Sequence, residues 1–90
     1  MDLESRYCLS RHATIRQERF GGLIYRHDNR RLYFLHSRDL VEFVSRLDDA
    51  RPLAAALDDY LSAHALPPGT RETFIEALSR LERLEVLDEL

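Results

Sequence analysis

The sequence contains no lysine, only one cysteine and no apolar run longer than a few residues. A lone Cys8 excludes an internal disulfide and a Cys-x-x-Cys zinc site. The short apolar runs exclude a transmembrane helix, which needs about 20 such residues. The start, Met1 to Glu4, is acidic and lacks the apolar region of a secretory signal. These absences predict a cytoplasmic protein that does not contact a membrane.

Charge is divided unevenly along the chain. Its 90 residues, 44% hydrophobic and 32% charged, suffice for one globular core. Residues 1–38 hold eight arginines and four acids, a net charge of +4. Residues 39–90 hold five arginines and twelve acids, a net charge of −7. We therefore expect the first half to attract an acidic partner and the second half to repel nucleic acid.

Three short β-strands are predicted in the first third of the chain. Residues 13–18 alternate weakly between polar and apolar side chains, and a glycine pair then breaks the pattern. Residues 23–26 and 31–35 are rich in β-forming residues, and Asp28-Asn29 between them suits a two-residue hairpin turn. The sequence therefore predicts an antiparallel meander with the first and third strands at its edges.

The hairpin turn also predicts which side chains share a face of the sheet. It sets Ile24 opposite Tyr33 and Arg26 opposite Arg31. Because side chains alternate along a strand, one face carries four large apolar side chains, and we expect helices to cover that face as part of the core. Tyr33 and Arg31 are expected on the outer face. The four side chains expected to face the core are Leu23, Tyr25, Leu32 and Phe34.

Three helices are predicted after the sheet. Ser37 can cap the first helix, and Pro52 suits the first turn of the second. A Pro-Pro-Gly sequence ends the second helix, and Thr70 is expected to cap the third. Residues 86–87 are expected to form a short terminal strand or the end of that helix.

The predicted fold class is α+β. A three-stranded antiparallel meander comes first, and three helices then cover its apolar face in a winged helix-turn-helix-like arrangement. We expect one domain at residues 12–90, preceded by an N-terminal arm at residues 1–11.

Residue types found in catalytic and metal sites are not grouped along the sequence. The six serines lack the context of a nucleophile elbow, and the glycine pair is too short to surround a phosphate. None of the four histidines has zinc-ligand spacing. We therefore expect no enzymatic activity, no metal and no cofactor. The histidines are His12, His27, His36 and His64.

A helix-turn-helix at residues 52–84 leaves a nucleic-acid-binding or regulatory module as an alternative. Such a module needs basic or amide side chains on its recognition helix and several phosphate contacts. The third helix carries three arginines and three glutamates, and the second carries Asp58 and Asp59. This charge balance disfavours nucleic acid as the partner.

The strand at residues 31–35 has an edge that the sequence does not protect. Edge strands are normally blunted by charge, proline or a bulge, but this strand has no proline and a single charge, Arg31. Either the third helix, the tail at residues 86–87 or a second copy covers the edge, or the edge is open to an extended peptide. A structural subunit that dimerises through its strand edges is a further alternative.

Two segments of the predicted sheet resemble a known family. They read Phe-Gly-Gly-Leu-Ile-Tyr at residues 20–25 and Arg-Leu-Tyr-Phe-Leu at residues 31–35. With the helices that follow, they resemble the PqqD-like peptide chaperones, the RiPP recognition elements of ribosomal peptide maturation. The likeness is closest to the MftB chaperones of the mycofactocin system and spans residues 12–88. The chain departs from many relatives at Glu85, which stands where they have glycine.

The resemblance implies a non-catalytic peptide chaperone. In that family the leader of a ribosomally made precursor peptide adds to the third strand and lies against the third helix. The complex is then presented to a radical SAM maturase. The implied partners are therefore a precursor peptide and a radical SAM maturase. The basic first half would attract an acidic leader, an effect that salt weakens.

The resemblance also implies where the leader binds. Its backbone is expected to pair with whichever backbone groups of Arg31, Tyr33 and Leu35 face outward. Leu32 and Phe34 complete this strand of the peptide-binding site. On the third helix, one flank is expected to form the groove wall, and this flank comprises Ala77, Arg80, Leu81 and Leu84.

Overall fold

The computed structural model describes residues 1–90 and contains five strands and three helices. It confirms the predicted α+β class, with a three-stranded antiparallel sheet followed by three helices. None of the helices is both long and apolar enough to cross a bilayer. In chain order the elements are β1 (Tyr7–Leu9), β2 (Ala13–Glu18), β3 (Gly21–Arg26), β4 (Leu32–Leu35), α1 (Arg38–Ser45), α2 (Leu53–Ala63), α3 (Thr70–Arg83) and β5 (Leu87–Glu89).

The main sheet has the order β2-β3-β4, with β3 at its centre. Ile24 lies opposite Tyr33 and Tyr25 opposite Leu32, which confirms the predicted register. The side chains of the turn explain why the register could be predicted. Asp28 accepts a hydrogen bond from the N–H of Asn29, and the Asn29 side chain accepts one from the N–H of Arg31. These local bonds hold the turn without help from the rest of the fold.

The face of the main sheet that was predicted to be buried is the exposed one. Ile24 is fully buried, and Tyr33 is half-buried against the core. Leu32 and Phe34, by contrast, are 49% and 57% exposed. The prediction chose the face with the larger apolar side chains, and that choice was wrong.

Small residues decide which face of the sheet α1 can approach. A Cβ atom added at Gly22 would lie 2.8 Å from Cγ2 of Val41 on α1. Only a residue without a side chain allows this contact, since atoms that close would clash. Ala13, also small, is buried on the same face of β2. α1 therefore packs closely against the face that carries Gly22 and Ala13, and the opposite face is left open.

A second, two-stranded sheet joins the ends of the chain. β1 pairs with β5 in antiparallel fashion, with Cys8 opposite Asp88. The segment predicted as an N-terminal arm thus contains a strand, and its Tyr7 is buried in the core. Just before β1, the carbonyl of Ser5 accepts a hydrogen bond of 2.9 Å from the N–H of Leu53, the first residue of α2.

The helix ends follow the predictions with two local differences. Ser37 caps α1 by accepting a hydrogen bond of 3.1 Å from the N–H of Leu40, as predicted. Pro52 is the N-cap of α2 and not its first helical residue. Thr70 is the first residue of α3, and its backbone conformation is helical, so it is not the cap. Gly69 occupies the N-cap position, so α3 begins without a side-chain cap.

Candidate functional site

The outer edge of β4 has no strand beside it. β4 pairs with β3 on one side only, and β5, which could have covered the other side, pairs with β1. The tail of the chain is therefore excluded as the cover for this edge. β4 itself, Leu32–Leu35, has neither a charge nor a proline, so nothing in its sequence prevents another strand from adding to it.

The backbone groups that face this open edge belong to Leu32 and Phe34. The N–H of Arg26 donates to the carbonyl of Arg31 at 2.9 Å, so residues 26 and 31 form a hydrogen-bonded pair. Such pairs alternate with non-bonded pairs along an antiparallel ladder. Tyr33 and Leu35 therefore bond inward to β3, while the N–H and C=O groups of Leu32 and Phe34 point away from it.

This alternation corrects the expected pairing of a leader with Arg31, Tyr33 and Leu35. The carbonyl of Arg31 and the backbone groups of Tyr33 and Leu35 are directed to β3, because the register places them at the hydrogen-bonded positions. The N–H of Arg31 donates to the side chain of Asn29. The pairing of β3 with β2 agrees with this assignment. The N–H of His27 donates to the carbonyl of His12 at 2.7 Å, so residue 27 bonds toward β2 and its neighbour, residue 26, bonds toward β4. Residues 25 and 23 then bond to β2, and residues 26, 24 and 22 bond to β4.

A continuous apolar surface borders the open edge on the solvent side of the sheet. We call it the outer face, and it consists of Phe20, Leu23, Tyr25, Leu32 and Phe34. The strand register sets Leu23 opposite Phe34 and Tyr25 opposite Leu32, and the rings of Phe20 and Phe34 lie 6.1 Å apart between centroids. Exposed apolar surfaces of this kind mark interaction sites in soluble domains.

The other side of β4 faces the core and α1. Tyr33 and Leu35 are half-buried against the core, and Ala77 of α3 and its C-cap residue Leu84 pack against the same core cluster. Of the other residues predicted for the groove wall, Leu81 is itself buried in the core and Arg80 is exposed. Four of the predicted side chains thus border the hydrophobic core of the protein, and a fifth, Leu81, is part of it.

Arg26 ties the C-terminal end of α3 to the sheet. It is 5% exposed, and its Nη1 donates to the carbonyls of Glu85 at 2.5 Å and Leu84 at 3.4 Å. Its Nε and Nη2 donate to the two carboxylate oxygens of Asp28 at 3.0 and 2.6 Å. The hydrogen bonds from Arg26 lower the pKa of Asp28 and raise that of Arg26 itself. A cation here also suits the negative end of the helix dipole.

The anchoring role of Arg26 was not predicted from the sequence. Alternation along β3 places Arg26 on the same face as Ile24, so a correct choice of the buried face would have brought its guanidinium inside. A buried guanidinium needs several acceptors, and the end of the predicted third helix could have supplied them. The missing information was therefore the orientation of the sheet.

The charge around the open edge is positive and largely uncompensated. Glu18 and Asp28, the only acids between residues 5 and 38, form ion pairs with Arg16 and Arg26. Arg30 and Arg31, which directly precede β4, form no salt bridge. A ligand of β4 would therefore meet free cationic groups. Further arginines without a salt bridge include Arg19 in the turn before β3, Arg38 at the start of α1, and Arg80 and Arg83 of α3.

Comparison with known proteins adds one finding to this geometry. A family model described as the peptide chaperone MftB family matches residues 6–88, a range that contains all eight elements in whole or in part. The match confirms the resemblance seen at residues 20–25 and 31–35. No curated protein and no solved structure gave a significant match.

Proposed function

The chain belongs to the peptide chaperone MftB family, and on that premise we propose that it binds the leader of a ribosomally made precursor peptide as an added strand on β4. The chaperone then presents the leader to a radical SAM maturase in mycofactocin-type biosynthesis in the cytoplasm, and it catalyses no step itself. The observation that carries the proposal is the open backbone edge at Leu32 and Phe34.

The open edge can supply only part of the binding free energy. An antiparallel leader strand would satisfy four backbone groups, the N–H and C=O of Leu32 and of Phe34. Each such bond contributes about 0.5–1.5 kcal/mol after the exchange with water. Ordering an extended peptide costs free energy of similar size. Specific and tight binding therefore requires side-chain contacts in addition.

Side-chain contacts are available on the inner side of β4. Every second side chain of an added strand points toward the groove between the strand and α3. Tyr33 of β4 and Leu84, the C-cap residue of α3, both pack against the core and are half-buried. Ala77 is small, so it leaves space for a leader side chain. Because Arg26 donates to the carbonyls of Leu84 and Glu85, the C-terminal end of α3 is held against the sheet before the peptide arrives.

The opposite edge of the main sheet is less suited to an added strand. β2 carries Arg16, Gln17 and Glu18, and charges on an edge strand disfavour pairing with another chain. The leader is therefore assigned to β4 and not to β2.

Removing one outward N–H tests this assignment. Leu32 is the first residue of β4, a position where a strand tolerates proline. We expect Leu32→Pro to weaken leader binding at least about fivefold relative to Leu32→Ala, which removes the side chain but keeps the N–H. Titration calorimetry with the precursor leader peptide measures the difference. The loss corresponds to one missing bond and one unpaired acceptor, about 1–3 kcal/mol.

The control variant places a proline on the opposite edge strand, β2. In β2 the backbone of Gln17 points outward, because Arg16 and Glu18 lie at the positions bonded to β3. Gln17→Pro should therefore leave leader affinity unchanged. Equal affinities for Leu32→Pro and Leu32→Ala would contradict binding at the β4 edge.

A further inference from the structure

We propose that the outer face of the main sheet is the surface on which the maturase docks. This inference rests on the proposed function, since it assumes that the chaperone presents a bound leader to that enzyme. The outer face is the side of the sheet opposite α1, and four of its five side chains are exposed. A single-domain protein that leaves so many large apolar groups in water commonly uses them for binding.

The composition of the outer face is that of an interface centre. It contains Phe20, Tyr25 and Phe34, and His36 lies beside them with its ring 5.6 Å from that of Phe20. Aromatic side chains are enriched at the centres of protein interfaces, where they bury much area at small entropic cost. Leu23 and Leu32 complete a patch that spans two neighbouring strands.

A bound leader cannot cover this surface. A strand added to β4 lies in the plane of the sheet, about 4.8 Å beyond β4. It extends the sheet sideways and leaves Leu23 and Tyr25, on the central strand β3, as exposed as before. The outer face therefore needs a second occupant, distinct from the leader.

The charge around the outer face selects an acidic protein over a second copy of this chain. Arg19 and Arg30 lie in the two turns at opposite ends of β3, and neither forms a salt bridge. Face-to-face dimerisation would place the same patch of each copy in one interface and bring these arginines together. A partner with an apolar patch and an acidic rim avoids that repulsion.

The position of the added strand also couples leader binding to maturase binding. On an added strand, every second side chain stands beside Leu32 and Phe34 on the outer side. A protein docked on the outer face then contacts the chaperone and the leader together. By linkage, the leader must raise the affinity for the maturase by the same factor as the maturase raises the affinity for the leader.

The test uses a charge placed at the centre of the outer face. We expect Tyr25→Glu to weaken binding of the purified maturase at least tenfold and to leave leader affinity unchanged, because Tyr25 lies on β3 and away from the β4 edge. Biolayer interferometry measures the first affinity, and calorimetry measures the second. Ala55→Glu is the matched control, since it adds the same charge at an exposed position of α2.

A second variant keeps the inference testable if Tyr25→Glu does not fold. Phe20→Ser changes an exposed residue in the turn before β3, and it should likewise weaken maturase binding alone. Unchanged maturase affinity in both variants, with a maturase that binds the wild-type chaperone, would overturn the inference. A maturase that does not bind the wild-type chaperone would contradict the proposed function on which the inference rests. Sedimentation showing a dimer that Tyr25→Glu dissociates would assign the face to a second copy instead. Failure of the proposed function is distinguishable, because it appears as leader binding that Leu32→Pro does not alter.

Discussion

At the scale of single residues, Glu85 is held in a conformation that suits glycine. Its φ is +61°, in the left-handed region. The N–H of Val86 donates to the carbonyl of Leu81, and the N–H of Glu85 donates to that of Glu82, both at 2.9 Å. These two bonds form a Schellman motif at the end of α3, in which glycine is the preferred residue. The carbonyl of Glu85 also receives the hydrogen bond from Arg26.

Glu85→Gly should stabilise the protein. Removing the Cβ relieves a left-handed conformation that costs about 1 kcal/mol for a non-glycine residue, and for a chain of this length that is a rise in Tm of about 4–8 °C. The lost side-chain pair with Arg26, at 3.6 Å and with Glu85 79% exposed, contributes little. Thermal unfolding followed by circular dichroism measures the change.

The control for Glu85→Gly is the same substitution within the helix. Glu76 is exposed in the middle of α3, where glycine costs about 1 kcal/mol relative to a good helix former. Glu76→Gly should therefore lower Tm. If both variants lower Tm, the cap is not strained by Glu85.

At the scale of elements, the features that could be predicted depend on hydrogen bonds between residues close in sequence. The features that could not be predicted depend on packing between distant segments. The register of β3 and β4 depends on the turn at Asp28-Asn29, whose side chains bond within a few residues. The cap of α1 at Ser37 is equally local. The choice between the two faces of a strand is not local, because it depends on which face α1 can approach. Hydrophobicity alone therefore assigned Leu32 and Phe34 to the core.

The open edge of the candidate site could be predicted, but the orientation of the strand could not. The edge of β4 is unpaired, as expected for the last strand of a meander, and the roles of Ala77 and Leu84 in leader binding stay predictions. The outward backbone groups belong to Leu32 and Phe34 because the hydrogen-bonded positions of the ladder are set by Arg26 and Arg31. That parity could not be derived from the predicted turn, because a two-residue turn at Asp28-Asn29 closes on a hydrogen-bonded pair at residues 27 and 30, whereas the structure has the bonded pair at Arg26 and Arg31.

Close contact between β3 and α1 makes a prediction at this scale. Gly22→Ala should lower the free energy of unfolding by about 1–3 kcal/mol, the usual cost of overpacking, because the new methyl group would meet both Cγ atoms of Val41 within 2.9 Å. Urea denaturation measures the loss. The control is Gly69→Ala, where an added Cβ has no neighbour within 4 Å. An effect of equal size at both positions would argue against the α1 contact as the cause.

At the scale of the whole molecule, the two halves of the chain differ in charge as they differ in structure. The positive half contains the main sheet, and the negative half contains the helices that follow it. Positive charge is therefore concentrated at the proposed leader site, where Arg30 and Arg31 precede β4 without acidic partners. The polarity would orient an acidic leader before contact.

Salt should weaken leader binding for this reason. Between about 0.1 M and 1 M salt, the screening length falls from about 10 Å to about 3 Å, and we expect affinity to fall severalfold by calorimetry. Arg31→Gln should reduce this dependence. Arg71→Gln should not, because Arg71 is paired with Asp58 of α2 at 3.0 Å. An affinity that does not change with salt would show that the charge polarity plays no part in leader binding.

The pairing of β1 with β5 has a consequence for the order of folding. The strands join Tyr7 to Glu89, so nearly the entire chain forms the loop that this contact closes. Loop-closure entropy makes such a contact slow and dependent on structure that already exists. The β3–β4 hairpin, by contrast, closes over a few residues. We therefore expect the binding edge to form early and the two chain ends to join last, completing a fold whose recognition strand is already in place.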